Sequence, residues 1–372
     1  MTTIRVAHIA DFHISPKNLY KTGPALEEAV TKAIAMGAEL AVFAGDTFDA
    51  SMGIHEPAVV FLVQQLRRLA DAMPVVVIQG TFSHDRLGSL DLLQHVSSRI
   101  YIETVPRHFH LDIGGRVVEI VCLPSTNKAG RVGGKTAQEN LDTFQDHVEA
   151  ARRAGYPSIL IAHGTVLGSV TESGHAMVSP DHEFTAEQLL SSGASAVMLG
   201  HIHAHQSFPD VSGRVIAYAG SLARLVYGQT APTGFLLWDV GPESATFEFV
   251  PVKSPKMIAL PFDGPPDIEA VADAAGESDG AEVLISWQVD EEHRHSVDKD
   301  AIRLLFSQAL DLKLVEVVNP IQRVRAEGIG ARRSLVDCLG VWAETTGTSM
   351  DGLVVRLGML QENQTVEELL ND

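Results

Sequence analysis

Between residues 4 and 250 the sequence alternates short, mostly apolar runs with amphipathic stretches of helical period. That alternation limits the fold more than any other feature. The apolar runs cover 4–9, 39–44, 74–78, 116–122, 158–162 and 195–199, each too short for a stable helix and apolar at most successive positions. This is the pattern of strands buried on both faces. The stretches near 24–36, 56–72, 137–153 and 185–191 carry apolar residues three and four apart, so each presents one apolar face. Strands that alternate with helices imply a layered α/β domain. Three later segments, Val215–Tyr218, Gly234–Val240 and 246–250, read as consecutive strands separated by turn residues. They are expected to form a second sheet, antiparallel, packed on the first.

Five of the apolar runs stop at Asp or His. The first leads into Asp11-Phe12-His13, where side chains at i and i+2 share a face of the extended chain. The second ends in Gly45-Asp46, the glycine permitting a sharp turn. The third is followed by Gly80-Thr81-Phe82-Ser83-His84-Asp85, the fifth by His163-Gly164 and the sixth by Gly200-His201-Ile202-His203. A single Asp or His at such a place can be a turn cap or a satisfied core residue, but the recurrence argues for a common rim where ligands collect. Its donors are oxygen and nitrogen without sulfur, a set that suits Mn²⁺, Fe²⁺ or a catalytic Zn²⁺. They exceed the needs of one ion. A carboxylate bridging two cations about 3.5–4 Å apart would use them all and would favour in-line displacement at phosphorus.

The formal charge of −19 over 372 residues is the wrong sign for a broad grip on a phosphate backbone, so metal ions or a basic partner would have to compensate. Cys122 and Cys338 are the only cysteines, which excludes a disulfide framework and a thiolate metal cage. The chain enters a strand at Ile4 without a leader pattern, and no apolar run is long enough to cross a bilayer. A cytoplasmic protein with no membrane contact is the expectation.

Residues 251–266 are punctuated by proline and lack a period, which marks a domain boundary. A smaller, acidic β/α unit follows, with helices at 267–275 and 297–310 and strands at 283–289 and 313–318. From residue 331 onward one or two short helices carry apolar residues between glycines.

In order and type, Asp11-Phe12-His13, Gly45-Asp46, His84-Asp85, His163 and Gly200-His201-Ile202-His203 resemble the signature of the calcineurin-like metallophosphoesterases. The resemblance is closest to the SbcD-type DNA repair nucleases, through Gly45-Asp46-Thr47-Phe48-Asp49, Tyr218-Ala219-Gly220-Ser221 and an α/β segment where that family carries a DNA-capping domain. It implies a four-layer α/β/β/α sandwich over 1–253, a C-terminal α/β cap over 254–330 and a partner-binding tail over 331–372. It implies two divalent ions, Mn²⁺ first, with Asp11, His13 and His203 holding one, His163 and His201 the other, and Asp46 bridging. His84 would be the acid that protonates the leaving oxygen, with Asp85 orienting its ring. DNA, an SMC-type coiled-coil ATPase (SbcC-like) and a second copy of the chain are the implied partners. The same motifs also serve enzymes acting on a small phosphodiester or a phosphoprotein.

One departure stands out. The third motif of the family is usually Gly-Asn-His-Asp, its asparagine a ligand of the second metal; here the asparagine is absent and the loop longer by two. Ser83, or else Thr81, is the expected replacement, and a hydroxyl is the weaker donor. A scaffold subunit with a decayed second site is therefore a further reading. The segment 129–136 satisfies a loose phosphate-loop pattern but follows no strand directly, so Lys128, Arg131 and Lys135 are taken as basic-loop contacts to substrate phosphates. Lys17 and Lys21 are similar candidates. Arg323, Arg325, Arg332 and Arg333 form a basic cluster before the tail.

Overall fold

A computed structural model of the chain describes residues 3–50, 52–53, 55–86, 88–125, 136–177, 183–209, 214–320 and 334–361. Two six-stranded sheets form its centre. In the first, β1 (Ile4–Ile9), β2 (Leu40–Phe43), β3 (Val75–Ile78) and β4 (Ile100–Glu103) run parallel, with β11 (Gly234–Val240) and β12 (Ala245–Pro251) antiparallel on the free side of β1. In the second, β6 (Arg116–Leu123), β7 (Ser158–His163), β8 (Ala196–Gly200) and β10 (Val215–Tyr218) are parallel. Its antiparallel edges are β5 (Arg107–Ile113) and β9 (Gln206–Pro209).

The pleat explains the layering. Ala7 and Ile9 of β1, Ala41 and Phe43 of β2, and Val75 and Val77 of β3 pack with Ala25, Leu26 and Ala29 of helix α1 (Leu19–Ala35) and Leu62, Leu66 and Leu69 of helix α2 (Pro57–Ala72). The alternate residues Val6, Leu40, Val42, Val76 and Trp238 turn to the other face and meet Ile120, Cys122, Ile159, Ile161 and Met198 of the second sheet. On the far side of that sheet Val121, Leu160 and Val197 pack with Leu141, Phe144 and Val148 of helix α3 (Ala137–Arg153) and Leu189 of helix α4 (Ala186–Ser191). The result is the α/β/β/α sandwich, with three apolar layers, and it accounts for runs that are apolar on both faces of the strand. Thr136 with Glu139 and Thr185 with Gln188 form capping boxes that fix where α3 and α4 begin.

The segments at 215–250 depart from expectation. They do not make a separate sheet: β10 enters the second sheet beside β8, while β11 and β12 extend the first. Phe235 and Leu237 face the helix layer while Leu236 and Trp238 face the other sheet, so β11 needs neighbours on both sides. Strands β4, β5 and β9 escape the sequence pattern because they are edge elements with partly exposed faces.

Beyond β12 come β13 (Met257–Phe262), helix α5 (Ile268–Ala275), β14 (Glu282–Asp290), helix α6 (Lys299–Leu305) and β15 (Asp311–Asn319), the strands ordered β13-β14-β15. Pro261 lies in β13, an edge strand, where proline is tolerated. Helices α7 (Leu335–Thr346) and α8 (Leu353–Gln361) follow. The chain divides into two compact units. The first comprises 1–261, 266–286 and 299–315, and the second comprises 262–265, 287–298 and 316–372. Among the described residues no helix is long and apolar enough to cross a membrane.

Candidate metal centre

The turns after β1 and β2 run side by side. Asp11 N donates to Gly45 O at 3.2 Å, His13 N to Asp46 O at 3.1 Å and Ile14 N to Thr47 O at 2.9 Å, so the two loops continue the parallel pairing of their strands. Within this zipper Asp11, His13 and Asp46 have φ of 50°, 44° and 50°, and His201, at the end of β8, has φ of 103°. Left-handed backbone at a non-glycine residue costs about 1–3 kcal/mol and persists only where surrounding bonds hold it. Four such residues among the motif Asp and His mark a built site. Gly80 must be glycine here, because a Cβ would overlap the backbone and carboxylate of Asp46.

The side chains converge into two separate clusters, and a third group, His13, Asp49 and His84, shares His13 with the first. Asp11, His13 and His203 form the first, and Asp46, His163 and His201 the second, the donor atoms of each lying within 4.8 Å of one another. Asp46 spans them: its Oδ2 lies 3.7 Å from His13 Nε2 and its Oδ1 3.4 Å from His163 Nε2. His13 Nε2 and His203 Nε2 face each other at 3.1 Å. His163 Nδ1–H donates to the carbonyl of Ala44 at 2.7 Å, which turns the Nε2 of that ring into the cluster. Backbone N–H of His201 donates to both oxygens of Asp11, at 2.8 and 3.0 Å.

The electrostatics fit divalent cations. Burial pushes His13 down to about 3 and His201 down to about 4, and lowers His203 too, so these imidazoles are neutral with lone pairs free at neutral pH. Asp11 is held well above the carboxylate range by burial, with the nearby charge of Asp46 adding to it. Burial opposes ionisation of both Asp46 and His163, yet their mutual attraction wins: Asp46 falls below its usual range and His163 rises to about 10. Nδ1 of His203 has no hydrogen-bond partner although buried. Two sets of inward-facing imidazole and carboxylate groups around one shared carboxylate suit a pair of cations, which would take the place of the protons on His163 and Asp11.

His84 stands over the first cluster, its ring 4.4 Å from that of His13. Its Nδ1–H donates to the carbonyl of Asp49 at 2.9 Å, and a carbonyl can only accept, so Nε2 is left for exchange with a ligand. Asp85 does not orient that ring. Its carboxylate is buried and accepts from the amides of Thr47, Phe48 and Gly80 at 3.2, 3.0 and 2.9 Å, tying the turns after β2 and β3 together. Burial raises its pKa to about 6.

Ser83 is exposed, while the hydroxyl that reaches the second cluster belongs to Thr81. Thr81 Oγ1 lies 3.2 Å from His163 Nε2 and 3.4 Å from Asp46 Oδ2, and its N–H donates to Asp46 Oδ1 at 2.6 Å. Lys128, Arg131 and Lys135 lie outside the described residues, as do Arg323, Arg325, Arg332 and Arg333. Lys17 lines the cleft beside His13 and His84, but Lys21 is buried against Glu282 at 2.8 Å. Two groups not assigned from sequence support the loop after His163. Tyr218 Oη accepts from Val166 N at 2.8 Å and donates to Gly164 O at 2.7 Å, and Glu183 accepts from Thr165 N at 2.7 Å. The Tyr218-Ala219-Gly220-Ser221 segment is a signal for the first; Glu183, with His175, stands out in the sequence only by lying between the fourth and fifth motifs, where a loop could reach substrate or be plain surface.

Residues 4–205, just over half of the chain, match the family model described as calcineurin-like phosphoesterase. No curated protein matches the sequence significantly. Among solved structures, GAP50, the anchor in the inner membrane complex of Plasmodium, is 13% identical, with a TM-score of 0.40 over 69% of this chain and 91% of that one. The sulfate thiohydrolase SoxB of Thermus thermophilus in complex with glycerol is 13% identical, with a TM-score of 0.35 over 62% of this chain and 42% of that one.

Proposed function

The chain belongs to the calcineurin-like phosphoesterase family, and from that premise we propose that it is a two-metal phosphodiesterase, a Mn²⁺-dependent DNA exonuclease and endonuclease of the SbcD type that acts in double-strand-break repair. The observation that carries the two-metal reading is Asp46, one oxygen facing each three-residue cluster. Asp11, His13 and His203 would hold one cation, His163 and His201 the other, with Asp46 shared between them and Thr81 Oγ1 beside the second. The chemistry the cations supply when bound is a lowered pKa for water and stabilisation of charge developing on phosphoryl oxygens.

The protein's own groups do the rest. The hydrogen bond from Nδ1–H to Asp49 O fixes the His84 ring, so its Nε2 can carry a proton to the leaving oxygen. The amides gathered by Asp85 hold the loops of Asp46 and His84 in register, which places the proton donor over the first cluster. The nitrogen and oxygen donor set suits Mn²⁺, Fe²⁺ or Zn²⁺, and the Asp46-Thr47-Phe48-Asp49 and Tyr218-Ala219-Gly220-Ser221 segments support the SbcD-type reading and with it Mn²⁺. On that reading α7 and α8 offer a surface for an SMC-type coiled-coil ATPase, and the enzyme works as a dimer.

The test is a substrate panel with Mn²⁺ supplied and then chelated: a linear DNA duplex, a cyclic nucleotide, a bis-aryl phosphodiester and a phosphopeptide. Duplex cleavage that stops on chelation is expected. His84→Ala should lower kcat by about 10²-fold or more while metal content stays the same. A variant as fast as the parent removes the acid role, and turnover of the phosphopeptide alone removes the nuclease.

A further inference from the structure

The cleft that opens at His13, His84 and His203 encloses roughly 770 Å³, well within the range of small-molecule sites. Away from the metal clusters it is closed by residues that no motif contains: Tyr20 and Lys21 of α1, Tyr227 between β10 and β11, Glu282 of β14, and Asp311 and Lys313 of β15. All belong to the first unit.

The lining is balanced in charge. Lys17, Lys21 and Lys313 face Asp49, Glu282 and Asp311, so a row of phosphates laid along it would meet as many carboxylates as ammonium groups. The Lys21 ammonium, moreover, is buried and engaged, 2.8 Å from Glu282 Oε1 and 3.3 Å from Met257 Sδ. Aromatic surface is what the wall offers. Tyr20 is 48% exposed, and Lys313 Nζ stands 5.4 Å from the centre of the Tyr227 ring. Tyr227 Oη is buried and has no hydrogen-bond partner. Buried phenols normally find one, so an orphaned hydroxyl in a cleft wall points to a ligand that completes it.

We propose that this wall is a nucleoside subsite, in which Tyr20 and Tyr227 receive one base and sugar of the phosphodiester whose phosphorus is held at the metal clusters. The subsite rests on the phosphodiesterase reading for its position, but its ligand chemistry is its own: a planar, uncharged, hydrogen-bonding group that stacks on tyrosine and pairs with Tyr227 Oη. Such a nucleoside can come from the end of a DNA strand or from a free nucleotide.

The experiment uses the full chain and its Tyr20→Ala and Tyr227→Phe variants. One measurement is the ratio of kcat/KM for p-nitrophenyl thymidine 5′-phosphate to that for methyl p-nitrophenyl phosphate, with Mn²⁺ present. The ratio should fall about tenfold in Tyr20→Ala, through KM, and in the same direction in Tyr227→Phe. A ratio unchanged in both variants overturns the proposal. The second measurement is thymidine binding without metal, followed by saturation-transfer NMR. Binding by the parent that weakens in both variants supports the subsite, and no binding by the parent overturns it. If thymidine binds but neither ester is cleaved, the subsite stands and the phosphodiesterase reading falls. Displacement of bound thymidine by a single-stranded oligonucleotide or by a cyclic mononucleotide supports the subsite in either case and tells the two sources apart.

Discussion

The hydroxyl of Thr81 is the atom on which the second cluster turns. Its position beside His163 Nε2 and Asp46 Oδ2 is where a donor in place of the absent asparagine would act. Thr81→Val keeps the shape and the backbone bond to Asp46 but removes that donor, and should weaken the second Mn²⁺ equivalent about tenfold or more. Thr81→Asn should bind it at least as tightly as the parent. Equilibrium dialysis with metal analysis checks both, and a valine variant holding two equivalents at unchanged affinity would remove Thr81 from the site. The Asp and His of the two clusters were legible from sequence because each sits where an apolar run meets a turn, a place set by local pattern. Which loop hydroxyl faces the cluster was not. It depends on how the turn after β3 is drawn onto Asp46 and Asp85, and those bonds join residues 35 to 38 positions apart. Asp85 shows the same limit: its neighbour in sequence is His84, but its partners are the amides of Thr47, Phe48 and Gly80.

Helix α2 illustrates what an element's face contributes. Pro57 opens the helix, and Leu62, Leu66 and Leu69 recur at spacings of four and three to form a buried stripe against the first sheet. Leu62 is fully buried, so Leu62→Ala should cost about 2–5 kcal/mol of unfolding free energy in chemical denaturation. It lies outside both clusters, so the folded variant should bind Mn²⁺ as the parent does. A loss under about 1 kcal/mol would mean that the layer between α2 and the sheet is loosely packed. The period of such helices, and the mostly apolar runs of β1, β2, β3, β7 and β8, made the layers readable. The sheet membership of β10, β11 and β12 was not, because strands buried on both faces carry no mark of which neighbour they will have. Position in the chain suggested one later sheet; packing divided these strands between two.

For the whole molecule, the charge of −19 excludes a broad electrostatic grip on DNA by the chain alone, so on the nuclease reading affinity has to come from the metal clusters, the cleft and a partner. The tail is where a partner surface is proposed. In α7 the only buried residue is Ala343, while Leu335 and Val336 are exposed; in α8 Val354, Val355 and Met359 are exposed. Helices of this length are marginal in water unless an apolar face is covered. A coiled-coil ATPase that supplies the cover would use the helix-in-groove mode of binding. Among the described residues, neither metal cluster draws a ligand from this region. Deleting residues 331–372 should therefore leave Mn²⁺-dependent cleavage of a short duplex within about twofold of the parent, since no residue given a chemical role is lost. Co-purification with the ATPase, by contrast, should disappear. Retention of the ATPase at full strength would place its binding surface elsewhere. Loss of cleavage together with loss of the native circular-dichroism spectrum would show that α7 and α8 stabilise the enzyme itself.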